Sequence, residues 1–324
     1  MSEFIKYPSI EQFRNIVKEV KYLAGTDHPL PVLEFKGTVK AHGTNAAICY
    51  DTNTEELWAQ SRNNIITIEN DNIGFANYVE DNKKILKNKF IDLILTHKME
   101  GIITIFGEWC GGNIQKNVAI YQLEKMFIAF AIKYNDEWLV LNKKLNIPSI
   151  RYFNINQFPT IVININFSNP QDSVNTLVAI TEEVEKECPI GKYFGVSGIG
   201  EGIVWEGSYL GKNLRFKVKG EKHSSSKVKK LVEVDTEKLN SINEFVEYVI
   251  TDSRMNQSIE QVFIMENTDP DIKAMGSVIK WVMGDVNKEE ADTLANNNLT
   301  MKDITKPAVT EIRNWFIKYL DTNL

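Results

Sequence analysis

The chain has 324 residues, enough for two domains, and its 43% hydrophobic, 10% aromatic and 25% charged residues make an ordinary globular composition. Three cysteines, Cys49, Cys110 and Cys188, form no CxxC pair, which argues against a zinc knuckle or a disulfide framework and for a reducing compartment. Net charge is −6, which disfavours a uniformly basic nucleic-acid binder, yet Gly211–Leu231 holds eight Lys or Arg and one acid, Glu221. A local positive field survives such a negative total, although a solvated basic loop has the same composition.

The N-terminus, MSEFIKYPSIEQF, lacks the basic and apolar regions of a signal peptide, and no stretch approaches the roughly 18 apolar residues of a membrane span. A cytoplasmic protein with no membrane partner is expected. Ser9 reads as the cap of a short helix with Phe13, Ile16, Val17 and Val20 on one face. Asp27–Pro31 reads as a loop. Val32–Tyr50 and Trp58–Glu69 read as strand regions, the first interrupted by His42-Gly43-Thr44-Asn45, the second by Ser61-Arg62-Asn63. Phe75–Met99 has helical spacing. Gly101–Glu108 is an apolar strand ending in an acid, and Met126–Ile132 and Glu137–Leu141 are further strands. Asp172–Glu187 is a helix stopped by Pro189. Gly200–Trp205 and Leu214–Val218 are short strands, and Val234–Leu324 is helical throughout. The fold class predicted is α+β: a mixed, antiparallel β-rich domain over residues 1–232, then a small all-helical domain over 233–324.

Lys40 precedes a tight polar turn, Ala41-His42-Gly43-Thr44-Asn45, which suits a nucleophilic amine held against a phosphate. On this segment alone, a surface lysine beside a glycine turn is the plainer reading. Lys217 and Lys219 alternate in a strand, so both amines share a face. Two such cations beside Lys40 would favour its neutral, nucleophilic form and neutralise phosphate charge. Glu108 and Glu201 each border an apolar strand, and isolated buried carboxylates are costly enough to demand a use. A carboxylate at Glu201 offers hard oxygen ligands to magnesium. The four histidines, His28, His42, His97 and His223, form no metal-site spacing.

Lys40-Ala41-His42-Gly43 resembles the nucleophile motif of covalent nucleotidyltransferases, which include DNA ligases, RNA ligases and mRNA capping enzymes. Its form, Lys-x-His-Gly-Thr-Asn, is similar to that of bacteriophage ligases that seal nicks in duplex RNA and of their relatives in trypanosome RNA editing. Ser61-Arg62-Asn63, Ile105-Phe106-Gly107-Glu108, Gly111–Lys116, Met126–Phe130, Glu201-Gly202-Ile203-Val204 and Phe216-Lys217-Val218-Lys219 follow in the family's order. The resemblance implies an ATP-grasp-like ligase domain in which Arg62 lies near ribose and phosphates, Glu108 grips the ribose hydroxyls, Glu201 serves the metal, and Lys217 and Lys219 meet phosphate. It implies Phe127 as the aromatic on adenine, with Phe130 three residues on as the alternative, and Asn45 as support for the nucleotide. Ala131 stands where relatives often have aspartate, and Val39 where they often have an acidic or polar residue.

The activity so implied is that of an ATP-dependent RNA ligase working in RNA repair through a Lys40–AMP intermediate. Magnesium is the expected metal, with manganese able to replace it. The partner is RNA with 3′-hydroxyl and 5′-phosphate ends, in a nicked duplex or a broken tRNA, and the enzyme is expected to be a monomer of bacteriophage type. The alternatives are a DNA ligase, a capping-type enzyme, or a binding module with a degenerate site. The first two normally carry an OB-fold after this domain, whereas the tail here is helical. The intact set of Lys40, Glu108, Glu201, Lys217 and Lys219 argues against the third.

Overall fold

Alternating burial along the apolar segments of the first two hundred residues builds two antiparallel-rich sheets. This computed structural model describes residues 2–25, 29–97, 100–141, 145–223, 242–264 and 268–323. The end of the basic Gly211–Leu231 segment, with Lys227, Lys229 and Lys230, and also His28 and the predicted domain boundary near 232, lie outside them. The strands are β1 (Glu11–Gln12), β2 (Val32–Val39), β3 (Gly43–Asp51), β4 (Glu56–Ser61), β5 (Ile65–Ile66), β6 (Ile102–Cys110), β7 (Met126–Tyr134), β8 (Glu137–Leu139), β9 (Tyr152–Asn154), β10 (Thr160–Asn166), β11 (Gly202–Tyr209) and β12 (Lys212–Lys219). The helices are α1 (Phe13–Ala24), α2 (Phe75–Asp81), α3 (Lys83–His97), α4 (Gln171–Lys186), α5 (Pro189–Tyr193), α6 (Ile242–Val249), α7 (Asp252–Ile259), α8 (Met275–Glu289), α9 (Ala291–Asn296) and α10 (Met301–Asn323). The predicted α+β class, with a helical C-terminal region, is what the chain adopts. The single helix predicted over Phe75–Met99 is two, broken at Asn82, and Pro189 opens α5 as well as ending α4.

One sheet runs β1-β12-β11-β2-β10 and the other β5-β4-β3-β6-β7-β8, with β9 parallel to β7. Strands alternate their side chains between faces, and the registers therefore fix what each face carries. In the first sheet, Trp205 lies opposite Gly37 and Ile203 opposite Val39. Their face is apolar, with Phe35 and Trp205 both packing on Phe216. The other face carries Lys36, Thr38 and Glu206, and continues toward Lys40. In the second sheet, Asn45 lies opposite Glu108, and Glu108 opposite Ile128. The face behind Glu108 is closed by helices: Phe90 of α3 stacks on Tyr50, and Phe75 of α2 meets Trp109 and Phe127.

The chain divides into two compact units, each assembled from separate stretches. The first contains residues 1–11, 34–164 and 182–217; the second contains 12–33, 165–181 and 218–324. The second unit is built on helical i, i+4 spacing. Val278, Val282 and Val286 of α8 and Ile304, Ala308, Ile312 and Phe316 of α10 are fully buried together. Its polar interior is organised by Arg254, which is fully buried and bonds Asp285 at 2.8 Å, Glu290 at 3.3 Å and the Val249 carbonyl. Helix α1 belongs to this unit: Arg14 donates to the Glu289 carbonyl and to Thr293 Oγ1, and Lys18 pairs with Asp292 at 2.8 Å. Among the described residues no helix is long and apolar enough to cross a membrane.

Candidate active site

The antiparallel register of β2 and β11 extends one step past Val39, where the Lys40 N–H donates to the Gly202 carbonyl at 2.8 Å. That step sets Lys40 beside Glu201. Lys40 Nζ donates to Glu201 Oε2 at 2.7 Å, and His42 Nδ1 donates to the same oxygen at 2.9 Å. Glu201 is 2% exposed, so its charge is enclosed, and it is compensated by these two donors. The Lys40 side chain keeps 21% exposure, enough to meet a ligand. His42, whose part the sequence left undefined, is buried and tied to the carboxylate.

Glu108 comes to the same place from the other sheet. Its Oε1 accepts the Gly43 N–H at 3.1 Å. A side chain at Gly43 is impossible without a shift, since a Cβ would lie 2.3 Å from the Trp109 carbonyl oxygen. This close approach is what couples the turn after Lys40 to β6. Glu108 is partly exposed as a residue, but its carboxyl is pushed up to about 7, first by desolvation, against the lowering effect of Lys40 and with a further rise from Glu201. Asn45, directly opposite Glu108, shares its face.

Lys217 and Lys219 alternate with buried Phe216 and Val218 on β12, so both take the opposite face, with Arg215. Arg215 pairs with Glu206 at 2.7 Å, and Glu206 lies opposite Lys36 on β2, which identifies that face as the one leading to Lys40. Arg62 is exposed in the turn between β4 and β5, one residue past the Ala46–Ser61 pair.

The structure does not bring Phe127 to the site. Phe127 lies opposite Trp109, one residue out of phase with Glu108, so it projects from the other face of the sheet. Its ring is fully buried against Phe75 and Tyr152 and presses on Gly107, where a Cβ would stand 2.4 Å from it. Three residues separate Phe127 from Phe130, so alternation places the two rings on opposite faces. Phe106 pairs with Ala131 and Gly107 with Ala129, which leaves Phe130 as the unpaired residue of a bulge. Phe130 packs with Phe106, Ala47 and Ala131, all on the Glu108 face.

The loop after β6 enters immediately beyond the Gly43–Cys110 pair. Gly111, Gly112, Asn113, Gln115 and Asn117 all have positive φ there, between 51° and 81°, and Gln115 is buried. The three non-glycine residues of this run, beside the turn after Lys40, carry backbone strain of the kind that concentrates at functional sites. Among the described residues no three His, Cys, Asp or Glu side chains converge on one point. A divalent ion here would rely on one or two carboxylates and on substrate phosphate, the usual situation for magnesium. Glu201, with Glu108 close enough to feel its charge, fits that role.

No curated relative matches the sequence. Among solved structures, the chain is similar to Naegleria gruberi RNA ligase with pyrophosphate, at 19% identity and a TM-score of 0.45, and to a variant of that protein with ATP and manganese, at 18% identity and 0.45. In both comparisons 68% of this chain is covered, and it spans 57% of the Naegleria protein. The family model for RNA ligase matches residues 33–229, which takes in every motif described above and more than half of the sequence; the chain belongs to the RNA ligase family.

Proposed function

We propose that this chain is an ATP-dependent RNA ligase that acts through a lysine–adenylate on Lys40. The observation that carries the reading is the meeting of Lys40, His42 and Glu201 from one sheet with Gly43 and Glu108 from the other. In the first step Lys40 Nζ attacks the α-phosphorus of ATP, the bond to the β-phosphate oxygen breaks, and pyrophosphate leaves. AMP then passes to an RNA 5′-phosphate, and a 3′-hydroxyl displaces AMP to close the phosphodiester.

The residues contribute mainly alignment and charge. Glu108 faces the nucleotide from β6 and accepts ribose hydroxyls. Phe130, rather than Phe127, supplies the aromatic face for adenine. Lys217 and Lys219 meet phosphate, Asn45 supports the nucleotide beside Glu108, and Arg62 approaches it from the β4–β5 turn. Glu201 is the residue that would hold a divalent ion, and magnesium, or manganese in its place, would neutralise phosphate charge and assist the leaving group. The helical region after residue 232 is our candidate for serving the RNA or the handoff of AMP, because every adenylylation motif precedes it. Phosphate contacts position a nucleic acid without reading its bases, and A-form shape with 2′-hydroxyls would supply the preference for RNA. A bacteriophage-type repair ligase on nicked duplex or broken tRNA is the role that fits this chemistry.

The test is a panel of 5′-phosphorylated nicked RNA, nicked DNA and single-stranded RNA, each with ATP or GTP. Sealing of RNA with ATP is expected. Sealing confined to DNA, or activity confined to GTP, would overturn the reading in favour of a DNA ligase or a capping-type enzyme.

A further inference from the structure

The first residues of the chain precede the family match, which begins at residue 33, yet residues 1–11 are grouped with the unit that holds Lys40 and Glu108. They are tied down along their length. Ser2 Oγ donates to Glu56 at 2.8 Å. The Ile5 N–H donates to Gln60 Oε1 at 3.1 Å, and Gln60 Nε2 donates back to the Ile5 carbonyl at 2.5 Å. One glutamine side chain thus holds the backbone of residue 5 as a neighbouring strand would. Two residues on, the Tyr7 ring enters an aromatic cluster. Its centroid is 5.0 Å from Phe106, 5.1 Å from Phe130 and 5.6 Å from Trp138. The Arg215 guanidinium lies 4.5 Å from the Trp138 centroid and 5.9 Å from that of Tyr7, and is paired with Glu206.

This cluster is placed to matter for the nucleotide. Phe106 and Glu108 are two residues apart on β6 and share a face, so the cluster begins roughly 7 Å along the sheet from the Glu108 carboxylate. Phe130 is the unpaired residue of a bulge and has no ladder partner to fix its direction. The ring that meets it edge-on, at 68°, is Tyr7. Arg215 lies two residues before Lys217 on the same strand and face. One aromatic ring therefore backs both the base-facing phenylalanine and the strand that carries the phosphate-facing lysine.

We infer that residues 2–7 form an N-terminal strap that completes the nucleotide pocket, with Tyr7 as a positioning residue that holds Phe130 toward the base and Arg215 against the opposite sheet. The inference rests on the proposed adenylylation at this site. Its chemistry requires a flat apolar ring at position 7; the phenolic hydroxyl is dispensable.

The experiment measures ATP affinity by calorimetry in the Lys40→Ala background with magnesium, where no adduct on Lys40 can form. Tyr7→Ala, Tyr7→Leu, Tyr7→Phe and Phe130→Ala are added singly, and Tyr7→Leu is also combined with Phe130→Ala; thermal melts are recorded for each. Tyr7→Leu fills the space without a flat ring and serves where Tyr7→Ala fails to fold. The expected result is about a tenfold loss of affinity, the equivalent of 1.4 kcal/mol, in the folded Tyr7→Ala or Tyr7→Leu chains. Tyr7→Phe should match the parent, and the double variant should bind as weakly as Phe130→Ala alone. A folded Tyr7→Leu chain within about twofold of the parent, or full additivity with Phe130→Ala, would overturn the strap's role. A parallel assay asks whether the unaltered chain forms an ATP-derived adduct. If it binds ATP but forms none, the proposed function fails while the affinities still decide on the strap. If the parent binds no ATP, both fail.

Discussion

Lys40 Nζ and Glu201 Oε2 are 2.7 Å apart, and the carboxylate of the pair is almost entirely enclosed. The proposed nucleophile and the proposed metal ligand are thus each other's partner before any nucleotide binds. A divalent ion held by Glu201 would compete with Lys40 for this carboxylate.

Glu201→Gln tests that link. The amide keeps the size of the side chain and removes the charge. Adduct formation should fall by about a hundredfold, the scale of losing one preorganised electrostatic group, and the magnesium concentration for half-maximal rate should rise. A metal titration of the labelled-adduct rate reads both. Unchanged rate and unchanged metal dependence would remove Glu201 from the mechanism.

Glu108 gives a prediction with a definite sign. Its carboxyl titrates near 7 in the folded chain and near 4.5 when unfolded. The folded state therefore holds a proton that the unfolded state releases between those values. Stability falls as pH rises from about 4.5 to 7, and the contribution is gone above 7. Glu108→Gln lacks this slope. Partial exposure trims the effect, so the variant should exceed the parent by about 1–2 kcal/mol at pH 8 and approach it near pH 4.5. Urea melts at the two pH values check this, and the same variant should bind ATP more weakly.

Phe127 and Phe130 should separate cleanly. Phe127→Ala empties a fully enclosed core position and should cost about 3–5 kcal/mol of stability. Phe130→Ala removes a half-buried ring from the Glu108 face and should cost far less stability while raising the KM for ATP. Parallel melts and adduct kinetics distinguish the two, and the reverse pattern would restore Phe127 as the base-stacking residue.

The pattern shows what kind of information the sequence holds. Lys40, Glu108, Glu201, Lys217 and Lys219 stand out as candidates in the sequence because charged side chains beside apolar strands need a reason, and because their order resembles one family; the fold brings the first three together. Strand polarity was legible for Lys217 and Lys219 from simple alternation. The resemblance points to Phe127 with Phe130 as the alternative, and only the register shows that Phe127, opposite Trp109, takes the face away from Glu108 while Phe130 packs on the Glu108 side. The Gln60–Ile5 clasp and the place of Tyr7 left no periodic signal, since a short strap has no repeat. The amphipathic pattern of Phe13, Ile16, Val17 and Val20 predicted a helix but could not reveal its association with residues 289–293, nearly the whole chain away. The same is true of the contact between Gly43 and Glu108, which depends on two strands meeting.

In the second unit, Arg254→Met should be costly. It leaves Glu290, which is 2% exposed and whose carboxyl burial already pushes up, without the guanidinium that bonds it and with Arg14 as its remaining nearby cation. A loss of about 3–5 kcal/mol is expected from breaking such a buried pair. Replacing Glu290 with Gln in the same chain should recover part of it, and denaturant midpoints of the single and double variants measure both. Equal stability of Arg254→Met and the parent would show that the network contributes nothing to this unit.

Adenylylation of Lys40 is read directly by incubation with magnesium and ATP labelled at the α-phosphate, followed by denaturing electrophoresis of the unaltered chain and of Lys40→Ala. A labelled, acid-labile protein band that pyrophosphate discharges is expected, absent from Lys40→Ala although that variant still seals RNA already bearing a 5′-adenylate. A labelled band that persists in Lys40→Ala, or none in the folded, unaltered chain across magnesium and manganese, would contradict it.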